Sequence, residues 1–140
     1  MKRIKSGSEF NKVMLSYSKE TEKMATLALQ KMSNDAFRSL VMRTAREYGF
    51  ARSNWEVSVN TPLEGLKKHP GPGSYSDAAY PSISIVAGDV IILYNNTEYI
   101  IHLEMGTARQ RAQPMVEPTY RELLSVAKAV SDRLSRTRMR

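Results

Sequence analysis

The chain contains no cysteine, which excludes disulfides and thiolate metal sites and is compatible with folding in a reducing cytoplasm. No stretch approaches the ~20 consecutive apolar residues that cross a bilayer, so no helical membrane span is expected. The basic start, Met1 to Lys5, runs into Ser6-Gly7-Ser8 and charged residues instead of an apolar segment; no secretory leader is expected there. Histidine occurs only at His69 and His102. Neither stands in a setting with the positional cues of a serine triad, and no acid pair falls in a hydrolase-like context. Gly71-Pro72-Gly73-Ser74 lacks the helix start and the Lys-Ser/Thr that complete a phosphate-binding loop. An enzyme is not expected, and no cofactor is implied.

What is present fits one domain. The 140 residues suffice for a modest core but not for two independent ones. Hydrophobic residues make up 41% and charged residues 25%, the composition of an ordinary folded domain and not of a disordered chain. The net charge of +7 favours anionic partners, whether nucleic acid, phosphate or an acidic protein face.

A long helical pattern spans Glu9 to Tyr48. Phe10, Val13, Met14, Tyr17, Met24, Ala28, Met32, Phe37, Leu40, Val41 and Ala45 recur mostly at three, four and seven residues, on one stripe. Ser6 and Glu9 have capping-box spacing, and Gly49 stands where a C′ glycine would end the helix. Unbroken, such a helix would reach roughly 60 Å, more than a domain this small can cover. Either Ser33-Asn34-Asp35 breaks it into two helices, since these side chains compete for backbone hydrogen bonds, or part of it projects onto a neighbouring subunit. Residues 1–8 are read as an N-terminal arm.

Ser53 to Asn60 alternates Trp55, Val57 and Val59 against Asn54, Glu56 and Ser58, the period of a half-buried strand. Thr61 to Pro81 carries four prolines and three glycines without a sustained period and reads as a long exposed loop. From Ile83 two apolar runs flank Ala87-Gly88-Asp89, which predicts a β-hairpin turning at Gly88. Tyr99 to Met105 is a short apolar segment stopped at Gly106, and Thr107 to Pro118 is a basic, glutamine-containing loop. Pro118 to Arg138 keeps helical spacing through Tyr120, Leu123, Leu124, Ala127, Val130 and Leu134. The fold class expected is α+β: a long N-terminal helix or helix pair, an antiparallel sheet of about three to four strands including the hairpin, a short helix and a C-terminal helix.

Two features bear on chemistry. Glu98 and His102 would share a face on a helix, and Glu98, His102 and Glu104 would on a strand, so a metal site is conceivable; two carboxylates beside a lone histidine are more often a surface group, and no metal is expected. The C-terminus, with Arg133, Arg136, Arg138 and Arg140 opposed only by Asp132, is a basic tail over 135–140. It either complements a helix macrodipole in solvent or contacts DNA phosphates or an acidic neighbour.

The ordered set of segments resembles a known family. ARSNWEVSVN (Ala51 to Asn60) and YNNTEYIIHLEMGTARQRAQPMVEPTY (Tyr94 to Tyr120), between a long helix and a closing helix, are similar to the tail-component family of long-tailed bacteriophages. That family includes neck proteins and tail completion proteins similar to the minor tail protein Z of lambda. Its "G-R-L-x-x-S-W" stretch is answered here by Arg52, Ser53 and Trp55, with Asn54 between the last two as a departure. Its "N-x-x-x-Y-A-x-x-x-E-x-G" stretch is answered by Asn95 or Asn96, Tyr99, Glu104 and Gly106, with Ile100 in place of the small residue; Gln110, Gln113, Pro114 and Met115 follow.

The resemblance implies a structural virion protein of the head–tail junction. It would form a ring, six copies, around the DNA channel and join portal and adaptor proteins to the tail tube or tail terminator. It implies a subunit or ring interface at Tyr99, Glu104, Arg109, Gln110, Arg111, Gln113 and Met115, with Tyr99 and Glu104 pinning a short helix to the sheet or Glu104 pairing with Arg109. A tail terminator or head-closure ring is the nearer alternative, and a basic DNA-binding module the alternative of another class.

Overall fold

The computed structural model describes residues 7–46, 49–61, 65 and 75–138; at 7, 9, 10, 13, 14, 17, 137 and 138 it describes the backbone. Gly71 to Ser74, His69, Tyr48, Arg140, residues 1–6 and most of the proline-rich loop therefore lie outside the described residues. Among the described residues the elements follow in the order α1 (Gly7–Arg43), α2 (Phe50–Ser53), β1 (Trp55–Val59), β2 (Ile91–Asn95), α3 (Ile100–Met105) and α4 (Val116–Arg138). The fold is α+β, a two-stranded antiparallel sheet with long helices at either end of the chain.

α1 runs unbroken through Ser33-Asn34-Asp35. The Ser33 hydroxyl satisfies itself without disturbing the ladder, lying 3.0 Å from the Gln30 carbonyl and 2.7 Å from the Tyr80 hydroxyl. Asp35 pairs with Lys31 one turn back at 3.1 Å, the spacing at which helical ion pairs form. At about 1.5 Å per residue the 37-residue helix is roughly 55 Å long. Among the described side chains, those of its second half enter the core. Every described side chain from Ser8 to Glu20 is exposed, half-burial begins at Thr21, and full burial at Ser33.

The helix stops at Arg43 because other groups take its last carbonyls. Thr44 donates its hydroxyl to the Leu40 carbonyl at 2.6 Å and accepts the Trp55 indole N–H at 2.7 Å. The buried Arg52 donates Nε to the Val41 carbonyl at 2.9 Å and reaches Asp77 at 3.4 Å. Gly49, expected at C′ of α1, instead precedes α2. Its φ is +78°, and a Cβ there would lie 2.8 Å from the Tyr75 carbonyl oxygen, so glycine is required on two counts.

β1 pairs with β2 in the register Trp55↔Asn95 to Val59↔Ile91. Two strands stand where three to four were expected among the described residues, because the run 83–86 does not pair with β2. The turn itself forms: Gly88 has φ +98°, and the Asp89 amide donates to the Val86 carbonyl at 3.1 Å. The segment before it is drawn onto α1, where Gln30 Nε2 donates to the Ile85 carbonyl (3.3 Å) and the Ala87 amide donates to Thr26 Oγ1 (2.9 Å). With those backbone groups satisfied by helix side chains and Ile85 buried, no ladder is needed. β2 turns to β1 instead, held at its start by the exchange of bonds between Asn60 and Val90.

The core gathers Phe37, Leu40, Val41, Ala51, Trp55, Val57, Leu103 and Met115. Phe37 also meets Tyr80 edge to face at 5.6 Å. α4 begins at Val116, two residues before the expected Pro118, and runs antiparallel to α1: Arg43 contacts Thr119 (2.9 Å) and Glu122, while Val126 lies opposite Met32 and Ala36.

Candidate interaction surface

The surface after α3 is built from the inside outward. Asn95 ends β2 with two bonds, its Nδ2 donating to the Ala51 carbonyl at 2.7 Å and its Oδ1 accepting the Thr97 amide at 3.0 Å. That ties the start of α3 to α2. Tyr99 sits immediately before α3; its carbonyl accepts the Leu103 amide at 3.1 Å and its ring lies 6.4 Å from that of Phe50. α3 ends at Gly106, whose amide donates to the His102 carbonyl at 2.8 Å. The Gly106 backbone, φ +78° and ψ 173°, lies in a region essentially confined to glycine. A Cβ there would stand 2.7 Å from the Ala112 amide nitrogen.

The loop that leaves Gly106 folds back on itself. The Thr107 amide donates to the Gln110 carbonyl at 2.8 Å, and the Thr107 hydroxyl accepts the amides of Arg109 and Gln110 at 3.3 and 3.1 Å. The Gln113 amide donates to the Leu103 carbonyl at 2.8 Å. Met115 then enters the core with no exposed surface. It anchors the loop from within, where the sequence placed it on the interface.

Glu104 closes the arrangement. Its carboxylate accepts the amides of Met115 (2.5 Å), Val116 (3.0 and 3.2 Å) and Glu117 (3.0 Å), capping the first turn of α4 from another helix. Those amides are the donors an α-helix leaves unpaired, and their end of the macrodipole favours an anion. Burial pushes the Glu104 carboxyl upward, but the three backbone donors outweigh it and hold its pKa below the ordinary value. With both oxygens engaged in this way, Glu104 forms no ion pair with Arg109 among the described residues. His102 is exposed on α3, Glu98 precedes the helix, and among the described residues no cluster of histidine and carboxylates has the form of a metal site.

Outward, the same loop presents Arg109, Gln110, Arg111 and Gln113, all exposed. Beside it lie apolar residues that the sequence reading passed over: Ile101 and Met105 on α3, and Val116 and Tyr120 on α4, are between 49% and 76% exposed. The signal was available, since 101 and 105, like 116 and 120, are one helical turn apart. The two predicted groups are not brought together. Arg133 and Arg136 are exposed near the far end of α4, the backbone of Arg138 closes that helix, and the polar loop lies at its start.

No helix among the described residues is long and apolar enough to cross a membrane. Comparison with models of known families, with curated proteins and with solved structures finds nothing that matches.

Proposed function

We propose that this chain is a structural component of the phage head–tail junction, a neck or tail completion protein that acts by self-association into a ring, six copies, around the DNA channel. The observation that supports this reading most is the loop 106–115. It is fixed internally by Gly106, Glu104 and Met115 and offers arginine and glutamine donors beside exposed Ile101, Met105, Val116 and Tyr120. A rigid polar loop next to an apolar stripe suits a protein interface, where preorganised arginines bond to carboxylates and backbone carbonyls around an apolar centre. The ring would seat between the portal and adaptor proteins and the tail tube or terminator, in the virion assembled in the host cytoplasm; a terminator or head-closure ring is the same reading at a different level of the stack. Ring closure uses two different faces of each subunit.

The test is to delete the gene's product from assembling particles and image them, alongside the mass of the purified protein in solution. Filled heads and finished tails that fail to join, with a ring-sized oligomer, agree with the proposal. Normal infectious particles contradict it.

The second reading, binding of duplex DNA, draws on Lys128, Arg133 and Arg136 exposed along α4. Asp132 lies among them and Arg121 is paired to Glu117 at 2.5 Å, which thins the positive field. A steep fall in duplex affinity with salt would favour it; within the ring the same arginines would face packaged DNA.

A further inference from the structure

We propose that the outer edge of β2 pairs antiparallel with the same edge of a second copy of this chain, joining two sheets into one across a two-fold axis. The proposal does not rest on the ring reading: a two-fold contact closes at two copies, and it describes the chain outside a ring.

The edge is open because of the way β2 is paired. The Asn60 amide donates to the Val90 carbonyl at 2.7 Å, so in the register of the sheet Ser58↔Ile92 and Glu56↔Tyr94 are the hydrogen-bonded pairs. Ile91, Leu93 and Asn95 stand at the alternate positions, with N–H and C=O aimed away from β1. Among the described residues those backbone groups have no partner. Every residue of β2 keeps some solvent exposure.

The chain's own neighbouring segment cannot fill this edge. The Asp89 amide donates to the Val86 carbonyl at 3.1 Å, which makes Ala87-Gly88 a two-residue reversal. Continued, that turn would set Ser84 opposite Ile91 and Ser82 opposite Leu93. Opposed residues share a face, so the two serines would be laid on the side where Ile91 and Leu93 pack against the core, and Ile83 and Ile85 would be turned to the other. Ile85 is 2% exposed where it lies, against α1. The turn selects one register and burial selects the opposite one, so the segment stays off the sheet.

A second β2 meets the edge without that conflict. In the register centred on Leu93, Leu93 is opposite Leu93 of the second copy and Ile91 is opposite its Asn95, so every free N–H and C=O along the edge finds a partner. Ile92 then stands opposite Tyr94 of the second copy on the outer face, a β-branched and aromatic pair of the kind that stabilises sheets. The strand carries none of the devices that deter a like edge: Ile91-Ile92-Leu93-Tyr94-Asn95 has no charge, proline or glycine, and its register runs without a bulge. In a chain of net charge +7, an uncharged edge lets two copies approach without like charges meeting. β1 offers no second edge of this kind, since Trp55, Val57 and Ser58 are buried, and the joined sheet ends at two copies.

Amide exchange read residue by residue over a concentration series tests this. Ile91 and Leu93 should exchange as unprotected amides in dilute protein and become at least about tenfold slower in step with a shift of the sedimentation mass from one copy to two. In a protein with no native cysteine, Ile92→Cys and Tyr94→Cys chains mixed and oxidised should cross-link as mixed pairs, since such opposed residues lie about 4.5 Å apart and a disulfide needs Cα atoms within about 7 Å. Ile92→Lys, which adds the charge that edges use against pairing, should weaken the dimer at least about tenfold with the circular dichroism spectrum unchanged. A chain that stays monomeric at every concentration overturns the proposal, whatever else binds it. So does a dimer whose Ile91 and Leu93 amides exchange at the monomer rate, one whose mixed cysteine chains fail to cross-link, or one that Ile92→Lys leaves at full strength. Ring-sized oligomers that depend on Arg109 and Arg111 while Ile91 and Leu93 stay unprotected defeat this proposal and leave the ring reading standing. Protected dimers of a chain that particles assemble without defeat the ring reading and leave this one.

Discussion

The carboxylate of Glu104 accepts the backbone N–H of Val116 at 3.0 Å, so that α3 supplies the cap for α4. Two helices that share no long packed face are thereby held at one fixed angle, and the loop between them inherits that angle.

Acid should undo this cap before it undoes the core. The Glu104 pKa is lowered on folding from an ordinary value of 4.5, so its contribution is fully present above that value and lost as pH falls through the lower folded value. Glu104→Gln should destabilise the protein by about 1 kcal/mol at neutral pH, in the range of lost N-caps. It should also flatten the acid limb of the stability profile. Urea unfolding from about pH 7 down to about pH 3 measures both; an unchanged acid limb in the variant would contradict the assignment.

Gly106→Ala should cost about 1–3 kcal/mol, because φ +78° and the 2.7 Å approach to the Ala112 amide act together. A drop in Tm accompanied by faster amide exchange over 107–113 is the expected pattern. Loss of Tm without local exchange would place the strain elsewhere.

Thr119 relays between helices: its buried hydroxyl accepts from Arg43 Nη1 at 2.9 Å and donates to the Met115 carbonyl at 2.7 Å. Thr119→Val keeps the shape but leaves both partners short of a bond, at a cost of about 1–3 kcal/mol. The same experiment on Thr107→Val, at an exposed residue, should cost less than half as much.

Arg109→Glu with Arg111→Glu should leave Tm within about half a degree to a few degrees of the parent, since both side chains are exposed and substitutions at such sites are nearly neutral. Assembly should be abolished. Met115→Ala should do the reverse, costing about 2–5 kcal/mol as a cavity in the core while any residual folded protein still assembles.

Much of the fold was legible in the sequence because it depends on local period. The stripe of α1 from Met24 to Val41, the alternation of Trp55 and Val57 in β1, the stop at Gly106 and the helical spacing after Pro118 all reappear. The misreadings share one cause, partners remote in sequence. Ile83 to Val86 has the composition of a strand, yet Gln30 takes the Ile85 carbonyl and Thr26 the amide of the following Ala87, both from more than fifty residues earlier. Gly49 has the positive φ expected of it but serves the following helix, since Arg52 and Thr44 close α1 by side-chain bonds with no sequence signature. Glu104 was singled out, but its partners are main-chain amides 11 to 13 residues on, which no residue type reveals.

The pairing of Arg43 with Thr119 and Glu122, 76 and 79 residues downstream, also fixes a timetable for biosynthesis. Translation exposes the whole of α1 long before its covering helix leaves the ribosome, so the nascent chain carries an open sticky flank for most of its synthesis. Truncation shortly before Val116 would make that condition permanent, and the product would be a substrate for chaperones and proteases instead of a smaller working part.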